Sequence, residues 1–489
     1  MLILICSRAA GGISFTFLIK PMQIYVFSRK SRSNEKMGIF AMMKRLLLIL
    51  LTFVAVACGK EDVIIVDDGS GQPEAGDAAP KRVIPVLPES GNVPEIVINI
   101  TEQEWKILLD AYNKDKDTQQ YIHCDVTYTD GTHKEVIRNA GLRLKGNTSR
   151  RYPGEAGHLN HVHFGLHFSE YIDEQKMLGA SRLDLKWFKD DAAYCREIFC
   201  YDLFQRAGVW TAISAGYTKL WVKIGAKQTY MGVYILMEHV RGSYLKHRQD
   251  LFGGKDGHLW KAKWGASLKD PNPWMGMDDN KTNYTYEYKS DETGYQAAKD
   301  ELKGFIRKFN SLGGEEFYAW VEQTIDVPLL LRTYAVNVAV GMWDDYWTSG
   351  NNYYFYFNPA GKFYFIPYDY DNTLGTSQYY DSGRRDPLHW GDDASNPLIA
   401  KLLKRPEWKA YYVNFLKELC RGDFRTDVAI ARINEWHHVI SPFVLNDTGQ
   451  DMKIADRPAS WGNHSEYRIL SPGDNNFFSV KFESISAIK

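Results

Sequence analysis

Residues 341–375 read GMWDDYWTSGNNYYFYFNPAGKFYFIPYDYDNTLG, the most densely patterned stretch of the chain. Asp344 and Asp345 open an acidic, amide-rich loop that runs on to Asn351 and Asn352. Tyr353–Phe357 is an unbroken run of aromatic strand formers, residues 358–361 (NPAG) are turn chemistry, and Lys362–Ile366 is the expected return strand. The return delivers Asp369 and Asp371 to the end of the hairpin that holds the first acids. Two carboxylate clusters at one end of a hairpin suit a divalent cation bearing phosphate oxygens. Asp and Asn are equally ordinary turn residues. Spacing alone leaves both readings open.

Working outward, the chain has an ordinary globular composition, 24% charged and 44% hydrophobic, with aromatics high at 14%. Near the N-terminus, Met43-Lys44-Arg45 precedes a short apolar run, Leu46–Val54, and then Ala55-Val56-Ala57-Cys58. The run is too short to span a bilayer, and the small residues before Cys58 resemble a bacterial lipoprotein cleavage site. Residues 1–57 are therefore expected to be an over-long start plus a signal peptide. Cys58 becomes a lipidated N-terminus, and 58–92 a flexible tether rich in Asp, Gly, Pro and Ala. Gly59-Lys60-Glu61-Asp62 resembles a surface-export signal, which places the protein in a bacterial outer membrane, facing outward. Of 59 Lys/Arg and 60 Asp/Glu, eight and one precede Cys58, so 51 basic residues face 59 acidic ones beyond it, a net of about −8. That balance excludes nucleic-acid binding through a general basic surface.

The folded part is expected from Val93. Glu95–Ile100 alternates as a strand, Glu102–Tyr112 has helical spacing behind Thr101 as N-cap, and Asp130-Gly131 turns a hairpin. Gly141–Lys145 leads into residues 146–151 (GNTSRR), a turn offering amides, hydroxyls and guanidinium groups to an anion. His161, His163 and His167 would share one strand face, which raises a metal site, though no HExxH or paired Cys accompanies them. A strand at Leu183–Trp187, a helix at Ala192–Ala207 carrying Arg196 and Glu197, a hairpin ending in Glu238, and a strand carrying Lys261 and Lys263 follow. Trp260, Trp264 and Trp274 read as core or rim aromatics ahead of sugar platforms. From residue 294 the spacing is helical except for the acidic hairpin, with a closing strand expected at Phe477–Phe482. Cys124, Cys195, Cys200 and Cys420 match no zinc pattern and read as buried thiols, with a disulfide left open.

The order of four segments resembles the CotH kinase family, the spore-coat protein H type of atypical kinase. They are LRLKGNTSR, AAYCREIFCYDLFQRAG, YMGVYILMEHV, and NNYYFYF followed by FYFIPYDYDNTLG, between about Val93 and Val439. The resemblance implies an α+β, divergent protein-kinase-like fold across 93–457. An antiparallel β-rich N-terminal lobe and a mostly helical C-terminal lobe make it up, and 458–489 form an extension. It implies ATP with Mg or Mn as cofactors, and phosphoryl transfer to Ser or Thr of proteins at the cell surface or envelope. On that template Asp345, or Asp344, orients the acceptor hydroxyl or acts as base. Asp369 is the principal metal ligand, with Asn352 (or Asn351) and Asp371 beside it. Arg143, Lys145, Asn147, Ser149, Arg150, Glu238 and Lys261 are the nucleotide contacts. One departure stands out: where relatives carry a Lys-rich strand after the turn, this chain has HLNHVHFGLHF, His158–Phe168, so Lys186 or Lys261 would have to substitute. The same resemblance fits a catalytically inactive, kinase-like surface lipoprotein that acts as an adhesin or binds glycan or protein.

Overall fold

The computed structural model describes residues 82–270, 285–459 and 467–488, and four strands nearer the N-terminus. The chain divides into two units, up to Ala78 and from Ala79 onward. The first holds an antiparallel sheet in the order Gln23–Phe27, Gly12–Ile19, Leu2–Ala9, Val63–Val66, where the sequence offered no fold. Cys58 and its signal, and Trp274, lie outside the described residues.

The second unit begins with a closed barrel. Around the ring its strands are His163–His167, Arg182–Lys186, Lys227–Glu238, Ala215–Ile224, Glu95–Ile100, Ile122–Thr129 and Lys134–Lys145. Every pairing is antiparallel except Glu95–Ile100 with Ala215–Ile224. Alternation decides which side chains go in: Leu142 and Leu144, Phe164 and Leu166, Leu183 and Leu185 fill the interior with Ile96, Ile98 and Val126. Their neighbours in sequence therefore point outward. Leu144 and Leu185 are fully buried, and truncating either to Ala should cost about 2–5 kcal/mol. The helix Glu102–Lys114 starts where Thr101 Oγ1 accepts the Glu104 amide at 3.1 Å, and lays Trp105, Leu108 and Leu109 against the barrel core.

A second antiparallel sheet runs Tyr286–Tyr288, His258–Ala262, Tyr353–Phe357, Phe363–Pro367. Its hairpin is the aromatic one expected from sequence, and Trp260 is fully buried beside it. Helices Tyr295–Ser311, Gly314–Thr324, Val327–Val340, Pro406–Arg421 and Thr426–Ile440 pack into the larger core, which also takes in this sheet. Strands thus dominate residues 95–238 and helices dominate residues 295–486. The molecule is mixed α+β. No helix among the described residues is long and apolar enough to cross a membrane.

The structure departs from expectation in four places. Phe477–Ser486 is a helix, not a strand, because Phe477, Phe478, Val480, Lys481 and Ile485 bury one helical face behind an Asn476 cap. That helix sits in the main core, so it is no peripheral extension. The folded unit starts before Val93: Ile84 enters the barrel core and the Tyr217 amide donates to Val86 O. The helix expected from Ala192 begins at Arg196, since the Asp191 carboxylate takes the Ala193, Cys195 and Arg196 amides in a preceding turn. Cys124, Cys195, Cys200 and Cys420 are buried free thiols.

Candidate active site

The outward face of three adjacent barrel strands forms one wall. It carries Arg143 and Lys145, then His163, Gly165 and His167, then Arg182, Asp184 and Lys186, with Lys145 opposite His163 in register. The other wall is made by the two acidic loops. Gly341 ends the helix Val327–Val340 in the left-handed region at φ +68 and turns the chain into Asp344–Asn352. The hairpin then brings Tyr353 opposite Pro367, so Asp369 and Asp371 emerge beside the first loop.

Between the walls sits Lys186. Its Nζ lies 2.7 Å from Glu197 Oε2 and 3.0 Å from Asp371 Oδ2, and contacts Asp369 Oδ1. Glu197, Asp369 and Asp371 each offer an oxygen within 4.8 Å of the others, the one such ligand group among the described residues. Three carboxylates share one ammonium, so the cluster carries excess negative charge. Burial, reinforced by Asp371 and Asp369, pushes Glu197 up to about 8 even against Lys186. Burial likewise raises Asp371 to about 6, with Asp369 adding to it. Burial also opposes charge on Asp369 and on Lys186, but their mutual attraction outweighs it, lowering the acid and raising the amine. Glu197 Oε1 and Asp371 Oδ1 are buried with no hydrogen-bond partner. Hard oxygen donors with free lone pairs and surplus negative charge fit Mg²⁺ or Mn²⁺.

The helix Arg196–Arg206 aims three side chains at the second loop. Glu197 enters the cluster, Tyr201 Oη accepts the Asp369 amide at 2.9 Å, and buried Arg196 donates to Thr373 O at 3.2 Å while pairing with Asp191 at 2.6 Å. Nine successive residues of this helix, from Arg196, are buried, so its charged groups needed partners inside the protein. Arg196 is therefore the brace of this helix. Glu197 was missed as a ligand; charged residues opening a helix of otherwise apolar character were the available signal.

The neighbouring acids diverge. Asp345 is buried; its Oδ2 accepts from Asn337 at 2.5 Å and its Oδ1 from the Thr348 amide at 2.8 Å, capping the short helix Tyr346–Ser349. Asn337 in turn accepts from Tyr370 at 2.7 Å, tying the two loops together. Burial pushes Asp345 up to about 6. Asp344 instead accepts from Asn352 at 3.0 Å, Asn351 at 3.4 Å and Ser349 at 3.3 Å. Burial raises its pKa, and the charge of Asp369 raises it further. Asp344 is the acid that faces the cluster. Asn352 and Asp369 both hold left-handed φ, +52 and +62, a backbone that Asn and Asp tolerate best.

Among the expected nucleotide contacts, Lys145 and Lys261 face the cleft. Lys145 pairs with Asp184 and lies 3.3 Å from Tyr368 Oη, while Lys261 lies over the Tyr354 and Tyr368 rings at 5.7 and 5.6 Å. Asp184, unforeseen, also pairs with His239 Nδ1 at 2.9 Å. Arg143 is spent on Tyr121 and Gln119. Arg150 is spent on carbonyls of Gly146, Lys116 and Thr118, so it folds the turn that Asn147 and Ser149 occupy. Glu238 is not in the cleft: it is buried, paired with Arg248 at 2.7 Å and bonded to the Ser214 amide and hydroxyl. Among the described residues, His161, His163 and His167 are not gathered into one ligand group. His161 lies outside the strand and meets Met231 O, while His163 and His167 point outward to different partners.

A barrel face thus opposes a carboxylate-rich loop pair, with one lysine held by a helix-borne glutamate. Residues 142–469 match the family model described as CotH kinase protein, and the chain belongs to that family. It is also 26% identical over 274 residues to the inner spore coat protein H of Bacillus subtilis (strain 168), covering 55% of this chain and 70% of that protein.

Proposed function

We propose that the protein is a metal-dependent phosphotransferase that moves the terminal phosphoryl group of ATP to Ser or Thr hydroxyls of proteins at the cell surface or envelope. The observation that carries this reading is Lys186. A lysine on a strand of the phosphate-facing wall, paired with a glutamate near the start of a buried helix and beside a loop aspartate, is the arrangement phosphoryl transfer uses to seat phosphates. The family described as CotH kinase supports the same chemistry. Asp369, Asp371, Glu197 and the amide oxygen of Asn352 would hold the cation. The cation would neutralise charge on the triphosphate. Lys186, released from the carboxylates, contacts phosphate oxygens, and Lys261 adds positive charge from the opposite sheet. Asp344, kept in place by Asn351, Asn352 and Ser349, orients the acceptor hydroxyl and receives its proton. Asp345 is a positioning residue.

Lipidation at Cys58 would tether the enzyme to the outer membrane, where its substrates lie. Mass spectrometry of membrane-extracted wild type and Cys58→Ala checks that part, with an unmodified Cys58 as the opposing result. For the chemistry, wild type, Lys186→Met and Asp369→Ala are incubated with radiolabelled ATP and Mg²⁺ or Mn²⁺. Label on the protein or a Ser/Thr-rich acceptor in wild type alone is expected. No label with either metal would turn the reading toward an inactive scaffold, in which Lys186 permanently neutralises the acidic cluster and the surface binds glycan or protein.

A further inference from the structure

His163 is 5% exposed and stands on the outward wall, opposite Lys145 and next to Trp187, with ring centroids 4.9 Å apart. Its Nδ1 accepts the Trp187 backbone amide at 3.0 Å. A backbone N–H can only donate, so the neutral ring carries its proton on Nε2. Burial, with Lys186 close by, keeps the ring neutral by holding its pKa well below the usual value. Lys186, Lys145 and Lys189 surround it as cations and Asp369 as an anion. Its Nε2 is buried without a partner, an N–H with no acceptor among the described residues. The turn from Gly146, at φ +102, passes close to the ring and carries no side chain of its own at that point. A Cβ there would sit 3.4 Å from His163 Cδ2 and 2.4 Å from Ser149 Oγ.

We propose that His163 Nε2–H, beneath the turn from Gly146, donates a hydrogen bond to a polyphosphate oxygen and forms an anion subsite together with Lys186. The inference rests on the phosphotransfer reading and deepens it: an uncharged donor takes the place of a lysine on this strand. With Nδ1 accepting the Trp187 amide the donor is neutral, so it adds no charge to a wall that already holds Lys145 and Lys186.

The test is calorimetric titration of the full chain with Mg²⁺-ATP and with Mg²⁺-tripolyphosphate, using wild type, His163→Phe and His163→Gln. His163→Phe keeps a ring against Trp187 and removes the donor, so it should weaken both ligands by about ten- to a hundredfold, whereas His163→Gln keeps an N–H and should stay within a few-fold of wild type. Equal affinity of wild type and His163→Phe for both ligands overturns the proposal, as does an equal loss in the Gln variant. Should His163→Phe fail to fold, His163→Leu, which also removes the donor, must weaken both ligands instead. Binding of tripolyphosphate that depends on His163, without any phosphoryl transfer, would sustain this subsite and sink the kinase reading. Transfer with unchanged affinity in His163→Phe would do the reverse.

Discussion

Two lysine–carboxylate clusters lie side by side on the same barrel wall, and they differ in charge balance. Lys145 meets a single acid, Asp184, which also holds His239, and burial keeps that imidazole neutral by lowering it to about 4. One cation and one anion close the account. Lys186, two residues after Asp184, meets three acids. Each cluster leaves carboxylate oxygens without a hydrogen bond, Asp184 Oδ1 in the first and Glu197 Oε1 and Asp371 Oδ1 in the second, so the difference is one of charge. A buried cluster in balance explains itself as structure, whereas a buried cluster with surplus charge of one sign calls for a further ion. The contrast singles out Lys186 as the lysine outnumbered by carboxylates.

Removing each lysine breaks the comparison most directly. Lys186→Met leaves buried Glu197 beside the half-buried Asp369 and Asp371 with no cation, and should cost about 3–5 kcal/mol in urea unfolding without divalent cation, much of it recovered with millimolar Mn²⁺. Lys145→Met should cost less, because His239 can take up a proton beside Asp184, and Mn²⁺ should recover none of it. Equal losses with no metal rescue for either would remove the distinction between the clusters. Next in size is the pair of adjacent acids. Asp344→Asn should lower the transfer rate by about 10²–10⁴-fold at nearly unchanged unfolding midpoint, while Asp345→Ala should lose about 1–2 kcal/mol of stability with its cap.

Acidity sharpens the same contrast through its sign. Glu197 and Asp371 sit above their ordinary values when folded, at about 8 and about 6, so between about pH 4 and 8 the folded state binds more protons than the unfolded one. Their contribution therefore weakens as pH rises, by up to about 1.4 kcal/mol per pH unit for each proton involved. His239, lowered when folded, acts the other way: between about pH 4 and 6.5 the unfolded state binds more protons, and stability grows with pH. Unfolding midpoints across pH 5–8 for wild type, Glu197→Gln and His239→Phe separate the two. Glu197→Gln should flatten the falling limb, and Mn²⁺ should flatten it too. The smallest effect belongs to Lys261, whose ammonium lies over two aromatic faces: Lys261→Met should raise KM for ATP a few-fold with no change in the unfolding midpoint.

Local pattern made the hairpin of residues 353–366 legible, because aromatic strand formers and an NPAG turn act through neighbours in sequence. It also revealed Asp369 and Asp371 as a second acidic loop. The same local reasoning misread Phe477–Phe482, where a short apolar run fits either period until the partner surface is known. Glu238 looked like a cleft residue at a strand end, yet Arg248, packed behind the strand, turned it into an interior brace. Glu197 was visible as a charge in a helix, but its role depends on Lys186 across a loop and Asp369 far along the chain.

The sequence by itself determined most of the strands and helices between residues 95 and 440, the two acidic loops, and membership of a family whose motifs stand in that order. Only the tertiary structure decided which acid faces the cleft, which lysine bears the surplus of carboxylates, and that His163 presents an unclaimed N–H. The reason is physical. Propensity and turn chemistry act over a few residues, whereas charge balance and desolvation are set by whichever groups, however distant in sequence, pack around a buried charge.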